Sequence, residues 1–227
     1  MKYLLYILLV IFAHKTFAQF NVGVNGVMLT PKGEFSRNLD ENAFGISING
    51  SYKIRETPFS IGANLGWSRY GSVSKTETLI WPVSVEVTTN NDIVFGYLFG
   101  QFGLDLGSLK PYTELLIGFN YLFTNTEIED MEDFGEDNIA SVTHFEDAAL
   151  SYGINVAMML KLLEEENDNV AFKKLFLDFK IGYSLGDKAE YLKEGDLIRG
   201  DNNKIIIRKT KSDIDYLSYQ IGLVFQF

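Results

Sequence analysis

Phe44-Gly-Ile46-Ser-Ile48-Asn-Gly50-Ser-Tyr52-Lys-Ile54 alternates with a period of two. Phe44, Ile46, Ile48, Tyr52 and Ile54 fall on one side, and Gly45, Ser47, Asn49, Ser51 and Lys53 on the other. Successive side chains of an extended chain point to opposite faces, so this stretch is a strand with one apolar and one polar face. The same pattern recurs between turn signals and predicts strands near 20–29, 44–54, 58–69, 83–103, 111–123, 148–161, 174–185 and 215–227. In the fourth, Val94, Leu98 and Phe102 share parity with Gly96 and Gly100, which leaves its faces the least defined.

Eight alternating strands can close as a soluble barrel with the apolar face inward or as a membrane barrel with it outward. The polar face discriminates. On a soluble barrel it meets water and needs Lys and Glu. Here it reads Asn21, Gly23, Asn25, Ser47, Asn49, Ser60, Gly62, Asn64, Gly66, Ser151, Gly153, Asn155, Ser218, Gln220 and Gly222. Small uncharged groups suit a cramped lumen. The opposite face, as in Leu175, Leu177, Phe179, Ile181, Tyr183 and Leu185, would overfill an eight-stranded interior, whereas lipid accommodates it. The fold class expected is all-β, an eight-stranded antiparallel up-and-down transmembrane β-barrel over residues 19–227. Links at 30–43, 70–82, 124–147 and 186–214 are long and those at 55–57 and 104–110 short, which puts the long loops outside the cell and the short turns in the periplasm. The segment 162–173 is long for a periplasmic turn.

Composition and leader agree. Residues 1–18 carry Lys2, an apolar run from Tyr3 to Ala13, and Thr16 and Ala18 flanking Phe17, the layout of a cleaved secretory signal peptide. The run falls short of the roughly 20 residues a membrane-spanning helix needs. Its removal leaves 18 basic against 30 acidic residues, a net charge of −12, with His144 the sole histidine. Zero cysteines exclude disulfides, thiol nucleophiles, Cys-ligated metals and an N-terminal lipidated cysteine. The acidic balance argues against nucleic acid as a partner.

The last strand, Leu217-Ser-Tyr219-Gln-Ile221-Gly-Leu223-Val-Phe225-Gln-Phe227, resembles the C-terminal signal read by the barrel assembly machinery, which would assign that role to Tyr219, Ile221, Leu223, Phe225 and Phe227. The leader, this terminus, 85–102, 111–130, 150–162 and 189–199 together resemble the PorT-like outer-membrane β-barrel proteins of Gram-negative bacteria, in the OmpA/OmpX-like eight-stranded size class. The resemblance implies a fold and a membrane. It brings no catalytic motif.

A few constellations bear on chemistry. Lys53, Glu114, Lys161, Asp178 and Lys180 share the inward parity, and buried charges must be paired, so Glu114 and Asp178 are expected to meet Lys53, Lys161 or Lys180. Loop 124–147 concentrates Glu127, Glu129, Asp130, Glu132, Asp133, Glu136, Asp137, Glu146 and Asp147 with no Lys or Arg. Carboxylates suit a hard cation, and Glu129, Asp130, Glu132, Asp133, Glu136 and Asp137 are the candidate ligands. The spacing lacks the Asp-x-Asp-x-Asp-Gly pattern of a calcium loop, so a solvated acidic loop is expected and no metal site assigned. His144 lies near Ser141 and Thr143, without a nucleophile elbow around it. Lys204-Ile-Ile-Ile-Arg208 after Asp201-Asn-Asn predicts a hairpin above the membrane. Trp67, Tyr70, Trp81, Tyr121 and Phe123 are expected as the upper aromatic girdle, and Phe20, Tyr52, Phe59, Tyr112 and Phe227 as the lower.

The functional expectation is a non-enzymatic integral outer-membrane protein, filled by side chains and not an open pore. It would be monomeric and cofactor-free, with outer-membrane lipid, the assembly machinery and other envelope proteins as its contacts. The alternatives are a subunit of an envelope secretion or assembly machine and a soluble lipocalin-like ligand-binding barrel.

Overall fold

The computed structural model describes residues 19–80, 83–130, 138–165, 171–199 and 205–227. The leader, Trp81 and the middle of the acidic segment lie outside these residues. The chain runs β1 (Phe20–Pro31), α1 (Gly33–Asn38), β2 (Ala43–Lys53), β3 (Phe59–Ile80), β4 (Val83–Gly103), β5 (Leu109–Asp130), β6 (Asn138–Glu164), β7 (Lys174–Gly186), β8 (Lys188–Tyr191), β9 (Leu197–Arg199), β10 (Ile205–Ile207), β11 (Thr210–Asp213) and β12 (Tyr216–Gln226). β1 to β7 and β12 form a closed barrel in the order β1-β12-β7-β6-β5-β4-β3-β2. Every neighbouring pair is antiparallel, and closure is made by β1 on β12, from Asn21 opposite Gln226 to Pro31 opposite Tyr216. The eight strands stand where the alternation places them.

Their lengths fall into two groups. β1, β2, β7 and β12 hold 11 to 13 residues. At about 3.4 Å per residue and about 45° of tilt, such strands cover about 25 Å, the height of an apolar band in a barrel of this kind. β3, β4, β5 and β6 hold 21 to 27 residues. The expected loops at 70–82 and 124–147 are therefore corrected where they are described: β3 pairs with β4 up to Ile80 opposite Val83, and β5 with β4 up to Asp130 opposite Val85. Four strands rise about ten residues beyond the barrel as an open sheet. Cross-strand hydroxyl and amide pairs hold it, Ser72 to Asn90 at 2.8 Å, Ser74 to Thr88 at 2.8 Å and Thr89 to Thr126 at 2.9 Å. In 186–214, β8 pairs with β11 and β9 with β10, so the hairpin around Ile205–Ile207 is present.

The longest run of inward bulk in the lumen comes from β4. On β4 the bulky residues Phe95, Tyr97 and Phe99 turn inward and are buried, while Gly96 and Gly100 lie on the lipid side with Leu98. β3 makes room with glycines. A Cβ on Gly66 would sit 2.1 Å from the Phe95 ring, and one on Gly62 would sit 2.4 Å from the Phe99 ring. The upper end is closed by α1 and the β8–β11 pair. Phe35 of α1 lies edge-on to Tyr191 at 5.2 Å and to Tyr70 at 6.5 Å, and Leu39, Ile93, Leu122, Ala189 and Ile214 complete an apolar plug. The turn into α1 uses Gly33 at φ +58°, where a side chain would also crowd the Asp215 carboxylate.

Candidate functional surface

Two properties of the barrel wall govern what it can do. Outward positions are apolar and exposed: Leu115, Ile117, Leu150 and Ile181 are 55 to 71% exposed. Their inward neighbours on the same strands, Glu114 and Lys180, are 2 and 3% exposed. A continuous apolar belt around a polar interior is the inverse of a water-soluble protein and the arrangement hydrocarbon requires. Trp67 at the upper margin and Phe20, Tyr52, Phe59 and Phe227 at the lower face outward. Phe20 meets Phe227 at 6.5 Å across the closing seam, and Phe59 meets Phe102 at 5.4 Å. Tyr70 and Tyr112 are corrections to the expected girdles, since both are buried in the interior. Tyr70 is on the parity of Asn64 and Gly66, and Tyr112 on that of Glu114.

Inside, hydrogen bonds converge on Tyr97. Its hydroxyl lies 2.8 Å from Ser151 Oγ, 2.8 Å from Ser184 Oγ and 2.7 Å from Tyr216 Oη, and Tyr216 donates to Asn120 Oδ1 at 3.0 Å. One layer down, Glu114 faces Lys180 at 3.2 Å and accepts from Asn155 Nδ2 at 2.7 Å. Asp178 accepts from the Tyr112 hydroxyl at 2.7 Å.

The five inward charges thus do not form one cluster. Glu114 and Lys180 pair. Lys161, at the register shift of β6 on β7, turns to Glu164 at 2.5 Å instead of to Glu114 or Asp178. Lys53 lines the lower mouth with Lys110, which pairs with Asp105 at 3.0 Å and sits 4.7 Å over the Phe176 ring. The cavity there is about 50 Å³ and one beside Tyr97 about 10 Å³. The Tyr97 hub was missed in the sequence. Its signal was there in the glycines at 96 and 100, which leave the odd-numbered aromatics of β4 as the inward set.

Glu164 lies at the lower end of β6. Hydrogen bonds from the Lys161 and Lys174 ammonium groups hold its carboxyl down at about 2. At the upper end, burial raises the Asp215 carboxyl, although it accepts the Gly186 N–H. Tyr121 donates to Glu146 at the outer rim.

Of the candidate cation ligands, Glu132, Asp133, Glu136 and Asp137 lie outside the described residues, and Glu129 and Asp130 end β5. Among the described residues, no three His, Cys, Asp or Glu side chains converge to hold a metal. His144 sits at the register shift where Thr124 pairs with Phe145 and Asn125 with Thr143. Tyr219, Ile221, Leu223 and Phe227 all face outward.

The two ends differ sharply in charge. The described residues of 32–41, 69–92, 124–149 and 186–215, at the end of the tall sheet, hold 17 acidic and 10 basic side chains, a net of −7. Those of 53–59, 104–111 and 161–174 at the other end hold four acidic and six basic, a net of +2.

No family model matches the chain, and no curated protein matches it. The likeness to PorT-like proteins therefore rests on the quoted segments alone. Solved structures similar to it include Neisserial surface protein A at 10% identity, covering 93% of this chain and 98% of that one with a TM-score of 0.40. A major outer membrane protein from Thermus thermophilus is 12% identical over 93% of this chain and 100% of its own, TM-score 0.48. The Yersinia pestis outer membrane protein Ail is 13% identical over 92% and 99%, TM-score 0.37. With identities this low and TM-scores below 0.5, nothing about this chain is argued from them.

Proposed function

We propose that this protein is an integral outer-membrane barrel of a Gram-negative cell, its leader 1–18 removed on export, which works without catalysis by presenting a rigid acidic sheet at the cell surface. One observation carries the reading: an apolar belt one membrane thick encloses a side-chain-filled polar lumen, and above it only β3 to β6 continue. A lipocalin-like carrier needs the opposite, a polar exterior and an apolar cavity. A pore needs a continuous lumen.

The test is gel mobility of the detergent-purified mature protein before and after boiling, with proteolysis of intact cells alongside. The reading expects a heat-dependent shift and cleavage confined to residues beyond the barrel, such as 124–147 and 186–214. A protein soluble without detergent and unshifted by boiling would overturn it. The PorT-like resemblance supplies the second reading, a subunit of an envelope secretion or assembly machine, and the open sheet favours it as a place for partners. Co-purification of stoichiometric envelope proteins in mild detergent separates that from a free-standing surface protein.

A further inference from the structure

The tall sheet has an edge whose backbone groups can be assigned. β2 pairs with β3 only as far as Phe44 opposite Arg69, so beyond that residue the outer edge of β3 leaves the barrel. Ser72 donates its backbone N–H to Glu194 Oε1 at 3.0 Å, away from β4. Residues of an antiparallel strand alternate between pairs that exchange hydrogen bonds and pairs that do not. The register runs without a shift from Gly71 to Thr78, with Ser72 opposite Asn90, Ser74 opposite Thr88 and Thr76 opposite Glu86. Ser74 and Thr76 therefore turn their N–H and C=O groups the same way as Ser72, toward the open edge. The side chains of Ser72, Ser74, Lys75 and Thr76 are exposed. The devices that blunt an edge are sparse here: no proline, and one lysine between the bulges at 69/71 and 78/80.

We propose that the β3 edge at Ser74 and Thr76 captures an extended, basic segment of a partner protein by strand addition. This rests on the surface reading above. A carboxylate already occupies the first position of the edge, where Glu194 satisfies the Ser72 amide, and an incoming strand repeats that contact at the next two. Charge selects the occupant. The described residues at the end of the molecule that bears this edge carry a net −7, so a second copy of the same chain is repelled, whereas a segment with Lys or Arg at alternate positions gains attraction along with its backbone bonds.

The experiment uses the full mature barrel in lipid nanodiscs and a fluorescent (Lys-Thr)4 peptide, read by anisotropy. The inference expects (Lys-Thr)4 to bind and (Glu-Thr)4 not to. It expects the double variant Ser74→Pro/Thr76→Pro to weaken binding at least tenfold, because proline removes the outward N–H groups and leaves the ladder to β4 intact. A (Lys-Thr)4 peptide N-methylated at alternate amides keeps its charge and should also lose at least tenfold, a control that needs no protein variant. Four outcomes would overturn it: no binding of (Lys-Thr)4, equal binding of (Glu-Thr)4, full binding of the N-methylated peptide, or concentration-dependent dimers of the peptide-free protein held through β3. A retained heat-dependent gel shift in any of these cases leaves the membrane-barrel reading standing.

Discussion

Glu114 and Lys180 are the two charges that the lumen buries against each other, 3.2 Å apart. Removing one partner strands the other in a low-dielectric interior, which costs about 3–5 kcal/mol, whereas replacing both with apolar groups of similar volume is often neutral. Glu114→Gln should therefore lower unfolding stability by that amount, and Glu114→Leu/Lys180→Met should recover most of it. Equilibrium denaturant unfolding in detergent micelles reads both. If the double variant is as unstable as the single, the cost lies with the buried Asp178 carboxylate, which loses the Lys180 ammonium as a neighbour and keeps the Tyr112 hydroxyl. Side chains also pair across parity that the sequence leaves open. Tyr97 is the case in point, one hydroxyl joining β4 to β6, β7 and β12.

Among the elements, the turn between β6 and β7 has a pH dependence with a definite sign. Glu164, ordinarily at 4.5, is held at about 2 by the hydrogen bonds from Lys161 and Lys174. A carboxyl lowered by folding contributes stability in full above its unfolded value and loses it as pH falls through the folded one. The β6–β7 pairing at Leu163 opposite Leu175 and Glu164 opposite Lys174 should thus loosen between about pH 4.5 and 2 and be unchanged above that window. Amide exchange of residues 163–175 across this range checks it, and Glu164→Gln should abolish the dependence. The elements also mark where sequence reading stops. β2 was legible because Phe44, Ile46, Ile48 and Tyr52 all meet lipid while their neighbours meet the lumen. β4 was legible as a strand over 83–103 but not in its faces, because the lipid side carries Gly96 and Gly100 and the bulk turns inward. The sheet extension was hidden for another reason. Once a strand leaves hydrocarbon, Ser72, Ser74 and Thr126 need no apolar alternation, and a strand spelled in hydroxyls reads like a loop. Of the site, the Glu114–Lys180 parity was visible, but the edge of β3 depends on register, which is written in no single segment.

For the whole molecule, the aromatic wall of β4 and the charge imbalance between the ends make a joint prediction about permeation. Phe95, Tyr97 and Phe99 fill the lumen over Gly62 and Gly66, and an eight-stranded barrel has only side-chain volume to lose. The mature protein should leave a planar lipid bilayer at its baseline conductance. Phe95→Ala/Tyr97→Ala/Phe99→Ala removes three rings from consecutive inward positions, and with Phe35→Ala/Tyr70→Ala/Tyr191→Ala opening the plug above them the lumen should admit ions if the barrel stays closed, as the boiling-dependent gel shift would report. The ions should then be chosen by the entrance. Among the described residues, a net of −7 at the tall end and of +2 at the other raise the local cation concentration at one mouth only. The opened variant should therefore prefer cations, with a reversal potential of cationic sign in a salt gradient and a preference that fades at about 1 M salt, where screening acts within about 3 Å. An anion-selective current would place the controlling charge at Lys53 and Lys110 in the opposite mouth, and a conducting unmutated protein would show that the aromatic wall is not what closes the barrel.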